Sequence, residues 1–173
     1  MNYSEQLTKP LSKRFIDQLI LEIFAQPEDF NIVYQLIFEL DEKVRWRAAW
    51  ACHRISDKHP EWYTERHFIE LSSLAISTKN AGLQRGCLGI ISNMELPSSI
   101  PVEFINACFD WMVSPKSAIA VQALSMKILY AICKIEPDFK QELQAYLQNI
   151  DLGNYSPGFK STHKNILKLL NNK

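Results

Sequence analysis

A chain of 173 residues with 47% hydrophobic side chains can bury a core of single-domain size and is too apolar to stay disordered. Its 19 Lys and Arg cancel its 19 Asp and Glu, which excludes a general electrostatic pull toward nucleic acid or anionic membrane and leaves only local patches to consider. The segment from Met1 to Lys13 has no apolar stretch of signal-peptide length, and no apolar run reaches the about 18 residues of a membrane span.

Proline punctuates the chain. The eight prolines stand at positions 10, 27, 60, 97, 101, 115, 137 and 157. A proline inside a helix costs about 3 kcal/mol, so these positions read as first turns and loops. Residues 1–10 are expected to be irregular. A first helix runs from about Leu11 to Ala25, with Phe15, Leu19, Ile20 and Ile23 on one face. Pro27-Glu28-Asp29 opens a second, carrying Phe30, Val33, Ile37 and Leu40. Asp41 is a good N-cap for a third, whose core stripe is Val44, Ala48, Ala51, Cys52 and Ile55. Pro60-Glu61 opens a fourth, with Tyr63, His67, Leu71 and Leu74 along it. Further helices are expected from about Asn80 to Asn93, from Val102 to Val113 and from Lys116 to Ile135. Pro137-Asp138 opens one ending near Ile150, and after a loop from Asp151 to Gly158 a last helix covers 158–172. Strand signals are weak: no Asn-Gly turn separates alternating runs.

A period underlies this order. Val44-Arg45-x-x-Ala48 aligns with Leu83-Gln84-x-x-Cys87 and with Ile119-Ala120-x-x-Ala123, at offsets of 39 and 36 residues. Helix pairs of that length cannot bury their apolar faces singly, so they stack. The segment Asp41-Glu42-Lys43-Val44-Arg45-Trp46-Arg47-Ala48-Ala49 resembles the second-helix signature of HEAT repeats, with an aspartate cap, Val-Arg and then a small residue. The chain resembles HEAT and armadillo-like proteins, including small bacterial HEAT-like proteins. The match is clear at Asp41 and loses its Asp and Arg at Leu83 and Ile119. The resemblance implies an all-α fold: a right-handed αα-superhelix of about four stacked pairs and a C-terminal capping helix. In sequence the pairs would be 11–40, 41–76, 80–113 and 116–150 of one domain.

The densest group of recognition-type side chains is on the third helix. Trp46 and Trp50 are four apart and share a face with His53, while Arg47 and Arg54 lie one step around. Tryptophan and arginine dominate binding energy at interfaces. Arg45, Trp46, Arg47, Trp50, His53, Arg54 and Arg85 are therefore the expected partner-binding residues. The plainer alternative packs the tryptophans between helices and pairs the arginines with Glu39, Glu42 or Glu70. Gly82, Gly86 and Gly89 each cost about 1 kcal/mol in a helix interior, which points to a close approach there, by the Trp50 ring or by a bound peptide. Lys160, Lys164 and Lys168 read as a solvated face of the cap.

Catalytic chemistry is not expected. His53, His59, His67 and His163 lack metal-ligand spacing, no HExxH, GxSxG or P-loop occurs, and Cys52-His53 are mere sequence neighbours. No cofactor or metal is expected. Four cysteines without a CxxC pair, Cys52, Cys87, Cys108 and Cys133, favour buried free thiols and a cytoplasmic location. The expected function is a scaffold for a protein or peptide, with no membrane role. A DNA-binding reading, by likeness to HEAT-type alkylpurine glycosylases, comes second and is set back by the zero net charge. A helical lyase comes third: Ser98-Ser99-Ile100-Pro101 lacks the Met, Lys and Asn of that signature loop.

Overall fold

A computed structural model describes residues 2–10 and 12–171. Leu11 and Asn172, at two expected helix ends, lie outside the described residues, as does Lys173. Ten α-helices succeed one another, with no strand among the described residues: α1 Tyr3–Thr8, α2 Lys13–Ala25, α3 Phe30–Gln35, α4 Glu42–Ser56, α5 Glu65–Ser77, α6 Ala81–Asn93, α7 Val102–Val113, α8 Ile119–Ile135, α9 Phe139–Asn149 and α10 Pro157–Asn171.

Side-chain caps set many of the starts. Asp41 accepts from the N–H groups of Lys43 at 2.7 Å and Val44 at 3.2 Å, which satisfies donors that α4 leaves orphaned. Asn80 does the same for α6 through Leu83 N–H at 2.9 Å, and Ser12 for α2 through Phe15 N–H. Asn2 caps α1 through Glu5 N–H, so residues 3–8 are helical where an irregular arm was expected. A six-residue helix is not stable alone. It persists because Tyr3 and Leu7 are buried against the body of the protein.

The two proline turns differ. Pro27–Asp29 is a 3-10 turn that leads straight into α3, whereas Pro60–Trp62 is a separate 3-10 turn rather than the first turn of a long helix. After the second, Tyr63 stays extended, and α5 begins at a cap made by Thr64 and His67. Tyr63, His67, Leu71 and Leu74 are buried nonetheless. The helix after Pro27 stops at Gln35 and tightens into a 3-10 turn over Leu36–Phe38. Leu40, expected on its apolar face, comes after that turn and is fully exposed.

The helices pack in two rows. One row runs α4, α6, α8, α10, each against the next. The other helices lie outside it, α5 against α6 and α7, and α7 against α8. The closest hairpins are thus α5–α6 and α7–α8, a frame one helix later than the expected 41–76 and 80–113 pairs. Helix α6 is buried nearly all round, through Leu83, Gly86, Cys87, Leu88, Gly89, Ile90 and Ile91, as befits a helix flanked by three others.

Candidate functional site

The closest approach in the inner row is between α4 and α6, and the glycines permit it. A Cβ on Gly86 would stand 2.6 Å from the Ala49 Cβ, and one on Gly89 would stand 2.5 Å from the His53 ring. A Cβ on Gly82 would meet the Asn80 side-chain oxygen at 3.1 Å and the Trp46 side chain at an ordinary 3.9 Å. The partners on α4 are 36 or 37 positions away. The strip of glycines therefore receives Ala49, His53 and the edge of Trp46, rather than the Trp50 ring that the 39-residue offset placed over it.

Above that contact the two tryptophans stand on α4 with ring planes 16° apart and centroids 6.4 Å apart. Both are only partly buried. With His53, Gly82, Arg85 and Gly86 they line a cleft of about 280 Å³. Its walls are aromatic, its floor is glycine backbone, and the exposed Arg85 stands at its rim. Small-residue floors let a ligand's backbone come close. The cleft continues, across Gly82 and Arg85, into a shallower groove lined by Ala118, Ile119, Ala120 and Ala123 at the start of α8 and by Gly158 and Thr162 of α10.

His53 is neutral at physiological pH. Burial pushes its imidazole below the usual value, Arg85, Arg54 and Lys127 push the same way, and only Asp57 opposes them.

The structure divides the seven expected binding residues. Trp46, Trp50, His53 and Arg85 meet at the cleft. The other three do not. Arg45 donates through Nε to the Ile37 carbonyl at 3.1 Å, holding the end of the α3 segment. Arg47 donates through Nη1 to the Leu7 carbonyl at 2.6 Å and the Lys9 carbonyl at 2.9 Å, while its guanidinium lies 5.5 Å from the Trp46 ring centroid. Arg54 pairs with Asp57 at 3.2 Å and lines a different hollow, beside Ile20, Leu21 and Phe24 of α2. Two of the three acids expected as partners for these arginines are engaged otherwise: Glu70 accepts from Arg66 and Tyr34, and Glu42 from Asn80. The glycine strip was legible in the sequence as a place of close approach, though not as the floor beneath both tryptophans. The α8–α10 extension was missed, because the alanines of α8 carry no signal that separates groove from core.

No group of three His, Cys, Asp or Glu side chains converges as metal ligands would among the described residues. No helix there is long and apolar enough to cross a membrane. The HEAT repeat domain family matches residues 3–170. Neither a curated protein nor a solved structure matches the chain. With that match running over nearly its whole length, and with helix stacked on helix throughout, the chain belongs to the HEAT repeat family.

Proposed function

We propose that this protein is a non-enzymatic scaffold that holds a peptide or protein partner in the cleft between α4 and α6. HEAT repeats commonly serve as interaction scaffolds, and stacked helix pairs offer long curved surfaces for that purpose. In this reading the inner row α4–α6–α8–α10 is the wall of a right-handed superhelix. The observation that carries the reading is the pair of stacked, half-open tryptophans over a glycine floor. Large rigid rings left open beside an arginine are the usual anchors of interfaces. Four buried free cysteines suit a reducing compartment, so we place the chain in the cytoplasm.

Capture of partners from native lysate by immobilised wild type and variants, read by mass spectrometry, tests this. Trp50→Ala and Trp46→Ala each lower recovery of the specific partner by about tenfold or more, as loss of an interface anchor does. Arg54→Ala, on the other hollow, leaves recovery unchanged. All three keep a cooperative thermal transition. Equal recovery by Trp46→Ala, Trp50→Ala and wild type sinks the reading.

A further inference from the structure

The neutral total hides a separation of charge. The inner helices carry ten of the 19 Lys and Arg: four on α4, one on α6, two on α8 and three on α10. Of the 19 Asp and Glu they carry one, Glu42. The acids lie on the outer helices and in the connections.

Few of those cations are free at the cleft. Arg45 and Arg47 are spent on backbone carbonyls and Arg54 on Asp57. By 3.6-residue periodicity Lys160, Lys164 and Lys168 fall on the flank of α10 away from Gly158 and Thr162, the residues that line the groove. Lys43, Lys127 and Lys134 line neither the cleft nor the groove, so what remains is Arg85, exposed on the rim. It makes no ion pair among the described residues. The flanking acids are already engaged: Glu42 accepts from the Asn80 amide at 2.9 Å, and Asp57 accepts from Asn93 as well as Arg54. In the adjoining groove Ala118 stands at the N-cap of α8 with no side-chain acceptor to offer, so the first N–H groups of that helix add to the positive field.

Resting on the scaffold reading, we propose that the cleft selects an acidic peptide segment: one large apolar side chain between Trp46, Trp50 and the Gly82–Gly86 floor, with a carboxylate beside it on Arg85. An unpaired cation next to an aromatic cleft matches such a segment. Duplex DNA, with one charge per about 1.7 Å, needs a longer row of free cations than this groove has.

Selection of a random-peptide library displayed on phage, against the full chain, tests the proposal. The expected consensus has one large apolar residue with Asp or Glu close to it. The synthetic consensus peptide binds about tenfold more tightly than its copy with Gln in place of the acids. Arg85→Glu removes that difference, while Trp46→Ala weakens both peptides alike. A consensus without acids, or equal affinity for the two copies, overturns the acidic preference and leaves the cleft standing as a docking site. Failure to enrich any sequence over a Trp46→Ala control overturns both readings. An oligonucleotide that binds more tightly than the consensus peptide, and is released by Arg85→Glu, overturns the proposal in favour of nucleic acid.

Discussion

Arg47 reaches back from α4 to the first helix, one guanidinium nitrogen donating to both the Leu7 and the Lys9 carbonyl. These are the last carbonyls of α1 and its exit, groups that a six-residue helix cannot satisfy internally. The Nε of the same side chain is buried without a partner, so the arrangement holds only while the carbonyls stay in place. Arg47→Ala should cost about 1–3 kcal/mol, the range for losing hydrogen bonds to a charged donor. Hydrogen exchange would show Tyr3–Thr8 losing protection first, with peptide binding at the cleft retained. Unchanged protection of that segment would remove Arg47 as its tether.

The Gly89–His53 contact gives a coupled prediction. A methyl group on Gly89 meets three atoms of the His53 ring at 2.5–2.6 Å, so the whole ring, not just its tip, has to move. Overpacking of this kind costs about 1–3 kcal/mol, against about 1 kcal/mol gained from alanine's helix propensity. Gly89→Ala alone is therefore destabilising. In a His53→Ala background the clash is gone, and the same change becomes stabilising by up to about 1 kcal/mol. Denaturant unfolding of the four proteins of this cycle measures the coupling. Additive effects would mean that the ring steps aside freely.

His67 links pH to stability. Its ring is buried on α5 and its Nδ1 accepts from the Thr64 N–H at 2.9 Å, closing the cap. Burial pushes the imidazole below its usual 6.5, Arg66 pushes the same way, and Glu70 opposes them. The folded form thus keeps His67 neutral while the unfolded chain takes up a proton first. Stability is fully present above about pH 6.5 and declines as pH falls through that value toward the lower folded one. His53, also shifted downward by burial, contributes with the same sign. His67→Gln, whose side chain can fill the same capping position, should flatten part of the decline in unfolding free energy on the acid side of 6.5. An identical slope in the variant would assign the pH dependence elsewhere.

These sites differ in how far the sequence revealed them. The Asp41 cap, the Val102–Val113 helix and the buried stripe of α4 come from local rules, cap chemistry and 3.6-residue spacing, and the structure has them. Spacing also put Trp46, Trp50 and His53 on one face. It could not tell which neighbour Arg45, Arg47 and Arg54 would meet, because that depends on where α1, α2 and α3 dock. Arg47 and Arg54, seven apart, point to the side taken by the N-terminal helices. The pairing frame failed for a related reason. Hydrophobic periodicity marks each helix, but the partner of each is chosen by connection length and packing; the three residues between α5 and α6 make a tight hairpin, which the notion of a pair starting at 41 ignores.

The cysteines supply a last prediction, on dynamics. All four are free and buried. Burial pushes the thiols of Cys52 and Cys87 up to about 12 and that of Cys108 upward as well, with nothing charged beside Cys108 to counter it. Cys133, near the end of α8, is 8% exposed and is pushed by burial only to about 11, with a backbone hydrogen bond and then Lys140 pulling it back. Since the thiolate is the reactive species, a thiol reagent should modify Cys133 first. Cys52 and Cys87 on the inner row, and Cys108 on α7, should react only as fast as their helices unpack, in step with global unfolding. Mass spectrometry of partially labelled, native protein gives the order directly. Early labelling of Cys52 or Cys87 would show that α4 and α6 separate locally, and the Ala49–Gly86 contact that floors the cleft would then be a hinge rather than a fixed seam.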